Sequence, residues 1–188
     1  GAGPQAVVGR VQAHAGGARR AAFEAAAQAL RDPWDVLLGT DADTHVAEDW
    51  LIKTLDHLDR GYDAVAGLAR LKGAELRRLD RGHRLRLAQL RRYFAALDLL
   101  RGGPVGDEPW PRHFYEGGAS MAVTLGRYRA IGGAPAPPVG EDKALFEAVR
   151  TSGGRVRHPL DVKVFTSCRL LGRAPGGAAS TLELWGRQ

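Results

Sequence analysis

Two aspartates spaced one residue apart are the first residues whose types and spacing suggest chemistry. Asp41 and Asp43 directly follow the apolar run "WDVLLGT" (34–40). Two carboxylates at this spacing in a turn can approach one hard cation, and Mg²⁺ typically binds one or two protein carboxylates together with substrate phosphates. Aspartate is also common in turns because its side chain bonds to nearby backbone. The spacing alone favours this structural interpretation, since a three-residue pattern often occurs by chance.

A second acidic pair, Glu141 and Asp142, opens the segment "EDKALFEAVRTSGG" (141–154). A carboxylate here could take the proton from an attacking hydroxyl, and such a general base is typically worth about 10²- to 10⁴-fold in rate. Acids in the first turn of a helix also stabilise it by complementing its dipole. Taken separately, the pair fits either role equally well.

The elements that position these pairs can be predicted from the alternation of apolar and amphipathic segments. Short apolar runs predict strands, and alanine-rich or amphipathic stretches between them predict helices. The alternation predicts an α/β domain with a largely parallel sheet, in which ligands bind at the carboxyl ends of the strands. Asp41 and Asp43 fall at such an end. We predict strands over 6–11, 34–41 and 62–70, and helices over 17–32, 48–61 and 71–100, the last divided at Gly82.

The second half of the chain continues in the same manner. A loop rich in glycine and proline (101–113) precedes a predicted strand and short helix within 114–133. The helix at 141–154 is followed by an extended segment at 155–170.

Composition narrows the class of protein. The chain has 188 residues, of which 44% are hydrophobic and 26% charged, as expected for one folded domain with a buried core. Cys168 is the single cysteine, so an internal disulfide is excluded. There is no secretory pattern and no apolar run near the roughly 18 residues that span a bilayer. These features predict a cytoplasmic protein.

The order of four segments resembles glycosyltransferase family 2, whose members are inverting enzymes. The segments are "LLGTDADTHVAEDWL", "EGGASMAVTLGRYRAIGG", "GEDKALFEAVRTSGGRV" and "VFTSCRLLGRA". The resemblance covers most of residues 5–175 and implies a GT-A fold: a Rossmann-like nucleotide-diphospho-sugar transferase with a mixed sheet flanked by helices. It implies one domain over 1–175 and a tail at 176–188.

The resemblance also implies roles for individual residues. Asp41 and Asp43 would hold a divalent cation, Mg²⁺ or Mn²⁺, together with the diphosphate of a nucleotide-sugar donor. Asp142 would be the catalytic base, with Glu141 beside it. The residues that would line the sugar and acceptor pocket are Glu116, Gly117, Gly118 and Ala119.

Two departures from the family pattern shape these expectations. Family members begin with a strand and loop that bind the nucleotide base, followed by a second strand with an acidic residue, and nothing before Gly1 supplies them. We therefore expect an N-terminally truncated domain. The QXXRW pattern of processive synthases is missing, so transfer of a single sugar to a carbohydrate or lipid-linked acceptor is expected.

The formal net charge is +6, because 23 arginines and 4 lysines outnumber the 21 acidic residues. Nine of these basic residues lie in 70–92. The first interpretation of this segment is that its basic side chains form a solvent-exposed helical face with no binding role. Contact with a phosphate-linked acceptor or the anionic inner face of a membrane is the second. Nucleic-acid binding is the last, because no known nucleic-acid module is present.

Other functions and other residues remain as alternatives. One alternative is a nucleotidyltransferase, which could share this α/β arrangement, although such an enzyme usually carries a glycine-rich basic N-terminal loop. The other alternative is a non-catalytic remnant or interaction module. Five residues are weaker candidates for the site: Trp110, His113, His158, Cys168 and Arg169.

Overall fold

The computed structural model describes residues 15–100, 108–135, 137 and 139–167. The strand predicted at 6–11, the residues Cys168 and Arg169, and the tail at 176–188 lie outside the described residues. In the described part of the chain, no helix combines the length and the apolar character that crossing a membrane requires.

Helices and strands alternate, as the sequence predicts. The helices are α1 (Ala15–Ala29), α2 (Trp50–Asp59), α3 (Gly73–Leu76), α4 (Arg81–Leu100), α5 (Leu125–Ala130) and α6 (Glu141–Thr151). The strands are β1 (Val36–Gly39), β2 (His45–Val46), β3 (Ala64–Ala66), β4 (Leu68–Leu71), β5 (Met121–Thr124), β6 (Val156–Arg157) and β7 (Lys163–Thr166).

The strands form two mixed sheets, so the expectation of a largely parallel sheet is wrong, while the α/β class with a mixed sheet flanked by helices is confirmed. The larger sheet has the order β1-β5-β3-β6 and the smaller one β2-β7-β4. Strand β5 lies between β1 and β3 and is antiparallel to both. The helical connection does give β1 and β3 the same direction, but β5 separates them, and sequence alternation cannot reveal that insertion.

The core lies on both faces of the larger sheet, because successive side chains of a strand point to opposite faces. All four residues of β5 are buried. Met121 and Val123 face a cluster that includes Phe23 of α1 and Phe146 of α6. Ala122 packs with a second cluster on the opposite face. This two-sided burial explains why β5 reads as a continuous apolar run.

Two predicted elements are divided in the structure. The strand expected at 62–70 splits at Gly67 into β3 and β4, which belong to different sheets. The helix expected at 71–100 breaks before Asp80 rather than at Gly82. Asp80 Oδ1 accepts a hydrogen bond of 2.9 Å from His83 N, which is the contact of an N-terminal cap. The local cap therefore decides where α4 begins.

Candidate functional site

The site begins where β1 ends. Because β1 and β5 are antiparallel, with Gly39 opposite Met121, the last residues of β1 lie beside the turn that precedes β5. Thr40 Oγ1 donates a hydrogen bond of 2.9 Å to the carbonyl oxygen of Ala119. The first aspartate, Asp41, thus lies next to residues 116–119, which are far from it in sequence and are called the glycine segment below.

An arginine of α1 joins the two acidic pairs. Arg19 Nη2 lies 2.7 Å from Asp41 Oδ1, and Arg19 Nη1 lies 2.6 Å from Glu141 Oε1. The Arg19 side chain is only 14% exposed. Three elements, α1, the end of β1 and the start of α6, therefore meet at one guanidinium.

Asp142 is held by the backbone of the glycine segment. Its Oδ2 accepts a hydrogen bond of 2.9 Å from Gly118 N, and its Oδ1 accepts one of 2.8 Å from Lys143 N. Each carboxylate oxygen has further acceptor capacity, so these bonds orient the group without exhausting it. The predicted base and the predicted pocket segment are in direct contact.

The carboxylates of Asp41, Asp43, Glu141 and Asp142 form a first cluster, in which the charge of each of the other three acts on Asp41. Burial raises the pKa of Asp41, the Arg19 guanidinium opposes that rise, and the charges of Asp43, Asp142 and Glu141 add to it. Burial also raises the pKa of the Tyr115 phenol, with further contributions from Asp142 and Asp41. A surplus of negative charge therefore collects at this end of the sheet.

The backbone of Asp43 is held by Lys72, which lies between β4 and α3. Lys72, the residue before α3, donates a hydrogen bond of 2.7 Å from Nζ to the Asp43 carbonyl oxygen. The turn carrying both aspartates is thereby fixed between β1 and α3.

A groove runs along β1 to this cluster. It has a volume of about 700 Å³ and is lined by α1 and by residues 36–42, including Arg19 and Asp41. Small-molecule sites typically have volumes of about 300–1,000 Å³. Among the strands of the described residues, β1 lies at one end of the larger sheet, so the groove borders that side of the sheet.

Glu116 belongs to a second, buried cluster. His158 Nδ1 lies 3.0 Å from Glu108 Oε2, and His158 Nε2 lies 3.0 Å from Glu116 Oε1. Arg157 pairs with Glu108 at 3.1 Å, and Arg150 pairs with Glu116. The structure thus commits the Glu116 carboxylate to an ion network, while Gly117, Gly118 and Ala119 of the same segment adjoin the first cluster.

The charges in this second cluster support one another. Burial disfavours the imidazolium of His158, but its hydrogen bonds to Glu108 and Glu116 outweigh burial and raise its pKa. Burial likewise opposes ionisation of Glu116, and its bonds to His158 and Arg150 nevertheless lower its pKa. The pKa of Glu108 is lowered in the same way, through His158 and Arg157. The network is a set of mutually compensated charges, of which Arg150 is exposed and the others are largely buried.

Arg19 and Glu108 are the main residues that the sequence interpretation missed. Phe23 and Ala27 of α1 are buried, and Arg19 lies on the same helical face by its spacing. An arginine on an apolar helical face needs a carboxylate partner, and that was the available signal. For Glu108, which follows a proline- and glycine-rich stretch, we find no comparable signal.

The first cluster contains Asp41 and Asp43, the predicted ligands of a divalent cation. Carboxylate oxygens are the ligands that Mg²⁺ prefers, and burial, reinforced by the charges of Asp43, Asp142 and Glu141, raises the pKa of Asp41. Among the described residues, no group of three or more His, Cys, Asp or Glu side chains has an arrangement that could hold a metal ion. A cation there would depend on Asp41 and Asp43 together with oxygens of a ligand.

No protein-family model and no curated protein matches this chain.

Proposed function

We propose that this chain transfers a single sugar from a nucleotide-diphosphate-sugar donor to an acceptor hydroxyl, with inversion, as the GT-A enzymes of glycosyltransferase family 2 do. One observation supports it most: the two acidic pairs and the glycine segment, dispersed in sequence, converge at one end of one sheet. If each acidic pair served only to form a turn or to stabilise a helix N-terminus, the two pairs would not need to lie together.

Asp142 is the base in this proposal. The acceptor hydroxyl gives its proton to the Asp142 carboxylate while its oxygen forms a bond to the anomeric carbon. The bond between that carbon and the diphosphate oxygen breaks, and the nucleoside diphosphate leaves with the electron pair. The hydrogen bonds from Gly118 N and Lys143 N hold the base in place before substrate arrives.

The groove along β1 suits the donor. It leads to Asp41, so a nucleotide in the groove would present its diphosphate to the aspartate turn. Asp41 and Asp43 would hold a divalent cation, which would supply charge stabilisation for the departing diphosphate. Arg19, at the same place, contributes a fixed positive charge.

The acceptor is proposed to carry phosphate or to be lipid-linked. Arg81, Arg84, Arg86 and Arg92 of α4 are exposed, and Leu85 on the same helix is 53% exposed. Basic and apolar side chains together favour a phosphate-bearing or membrane-borne partner. Nucleic acid remains the least favoured partner.

The test is release of nucleoside diphosphate from UDP-, GDP- and ADP-sugars with Mn²⁺ and a panel of sugar acceptors. Asp142→Asn is expected to lower the rate by about 10²- to 10⁴-fold, the usual worth of a general base. Asp49→Asn is the matched control, because Asp49 is an exposed carboxylate paired with Lys53 on α2.

Two results would contradict the proposal. Undiminished transfer by Asp142→Asn would remove the base assignment. Pyrophosphate release from a nucleoside triphosphate, with no release of diphosphate from any sugar donor, would indicate a nucleotidyltransferase instead.

A further inference from the structure

His158 lies between two carboxylates from different parts of the chain. Its Nδ1 is 3.0 Å from Glu108 Oε2, and its Nε2 is 3.0 Å from Glu116 Oε1. The three side chains are only 11% or 12% exposed. A neutral imidazole carries a proton on one nitrogen and can donate to one carboxylate, whereas the imidazolium donates at both nitrogens. The arrangement therefore fits the imidazolium.

The elements that pack around this ring bring charges of both signs. Their charged and titratable groups are Glu108, Arg112 and His113 of the 108–113 loop, Glu116 of the glycine segment, Arg150 of α6 and Arg157 of β6. The His113 ring lies 5.7 Å from the His158 ring and is neutral at neutral pH, since its pKa is about 4. Burial opposes the imidazolium of His158, but the bonds to the two carboxylates outweigh burial and raise its pKa.

Glu116 connects this histidine to the proposed base. It is the first residue of the glycine segment, and two residues later Gly118 N donates a hydrogen bond of 2.9 Å to Asp142 Oδ2. The backbone between them is closely packed, because a Cβ atom at Gly117 would overlap the Tyr115 hydroxyl group. The two glycines have no side chains of their own, so the adjacent Glu116 supplies the ionic anchor. A displacement of Glu116 would therefore move the amide that orients Asp142.

We propose that protonated His158 is a positioning residue, which holds the glycine segment where Gly118 N meets Asp142. It acts as a proton-dependent anchor for the Glu116 carboxylate. The consequence for transfer rests on the proposed function, in which Asp142 is the base: the rate should depend on the protonation of His158. The anchor itself does not depend on that function.

The bond to Glu116 is the one that deprotonation breaks more easily. Glu108 also accepts hydrogen bonds from the backbone N–H of His158 and from the largely buried Arg157. Glu116 is also bound by Arg150, whose side chain is 39% exposed. Ion pairs that water reaches are weak. When one ring nitrogen loses its proton, Glu116 is therefore the carboxylate that is expected to move.

The experiment follows the amide shifts of Gly118 by NMR between about pH 6 and 9, a range in which histidine is the side chain that ordinarily begins to titrate. His113, with its pKa of about 4, and the carboxylates of Glu108 and Glu116, with their lowered pKa values, keep one charge state over this range. The Gly118 signal is expected to titrate with the same midpoint as the His158 ring, above pH 6.5. His158→Gln should abolish this titration, because glutamine has no titratable proton.

His83→Gln is the matched control. His83 is also a buried histidine paired with a carboxylate, since its Nδ1 lies 2.7 Å from Asp80 Oδ2. It belongs to α4, so its substitution should leave the Gly118 titration unchanged. A Gly118 signal that does not move in the unmodified chain, or that titrates equally in a folded His158→Gln chain, overturns the inference.

A second variant covers the case in which His158→Gln does not melt cooperatively. Glu116→Gln keeps an acceptor oxygen for the ring but removes one of the two charges that hold its proton. The midpoint of the Gly118 titration is expected to fall by about one pH unit or more. An unchanged midpoint in a folded Glu116→Gln chain overturns the inference.

Transfer assays separate this inference from the proposed function. In the unmodified chain kcat is expected to fall above the Gly118 midpoint while KM for the nucleotide sugar changes little, because the base is displaced and the donor groove is not. A kcat that stays constant through the midpoint would overturn the positioning role. No transfer at any pH, with a Gly118 titration that His158→Gln abolishes, would overturn the proposed function and support the anchor.

Discussion

His113 should make the fold sensitive to acid. Its ring is buried, 8% exposed, and its Nδ1 accepts a hydrogen bond of 3.1 Å from Tyr115 N. A proton at Nδ1 would point at that amide, so the charged form cannot keep the bond. Burial, followed by the charge of the nearby His158, lowers the pKa of His113 from 6.5 to about 4.

The sign and size of the effect follow from this pKa. Between pH 6.5 and 4 the unfolded chain binds a proton at His113 that the folded chain does not, so the free energy of unfolding decreases as the pH falls. Between pH 6.5 and 4.5 the loss is about 2 kcal/mol, at about 1.36 kcal/mol per pH unit. His158 does not offset it, because its raised pKa gives stability that is present below 6.5 and lost at higher pH.

The assay is urea unfolding at pH 6.5 and pH 4.5, followed by circular dichroism. His113→Asn keeps an acceptor for Tyr115 N near the position of Nδ1 and cannot titrate. The loss on acidification should be about 2 kcal/mol smaller for His113→Asn than for the unmodified chain. His45→Asn is the matched control, since His45 is exposed on β2. If His113→Asn loses as much stability as the unmodified chain, the assignment of this acid sensitivity to His113 is refuted.

Three further predictions concern the core and the glycine segment. Phe146→Ala should lower the free energy of unfolding by about 3–5 kcal/mol in urea, because the ring is fully buried. Ser120→Ala should cost about 0.5–1.5 kcal/mol in the same assay and alter tryptophan fluorescence, since Ser120 Oγ accepts a bond of 2.9 Å from Trp50 Nε1. Gly118→Ala should displace the flexible end of Arg19 rather than the backbone, because the new methyl group would lie 2.0 Å from Nη2. It should therefore break the contact of Arg19 with Asp41 and lower the free energy of unfolding by about 0.5–3 kcal/mol in the same assay, and unchanged stability would contradict that contact.

Local signals in the sequence were sufficient for the elements that carry the candidate site. The strand predicted at 34–41 is observed as β1, and the helix predicted from 141 begins at Glu141. Both depend on short-range features, an apolar run that ends at a turn and acids in a first helical turn. The roles given to Asp41, Asp43, Glu141 and Asp142 stay predictions.

The features that the sequence could not predict depend on contacts between residues that are distant along the chain. The insertion of β5 between β1 and β3 is a long-range pairing with no local signature. The ion pairs of Glu116 with His158 and Arg150 depend on where β6 and α6 pack. They differ from the predicted role of Glu116, which was to line the sugar and acceptor pocket. Periodicity and motif spacing contain no information on such contacts.

The proposed donor site at Asp41 and Asp43 can be tested most directly by nucleotide binding. The measurement is a thermal-shift series with UDP, GDP, ADP and CMP, with and without Mn²⁺, on the unmodified chain, Asp43→Asn and the control Asp49→Asn. A ligand that binds the folded state raises the melting temperature. The proposed function predicts a rise for a nucleotide that requires Mn²⁺, is lost in Asp43→Asn and persists in Asp49→Asn. Cooperative melting with no shift for any nucleotide would contradict it.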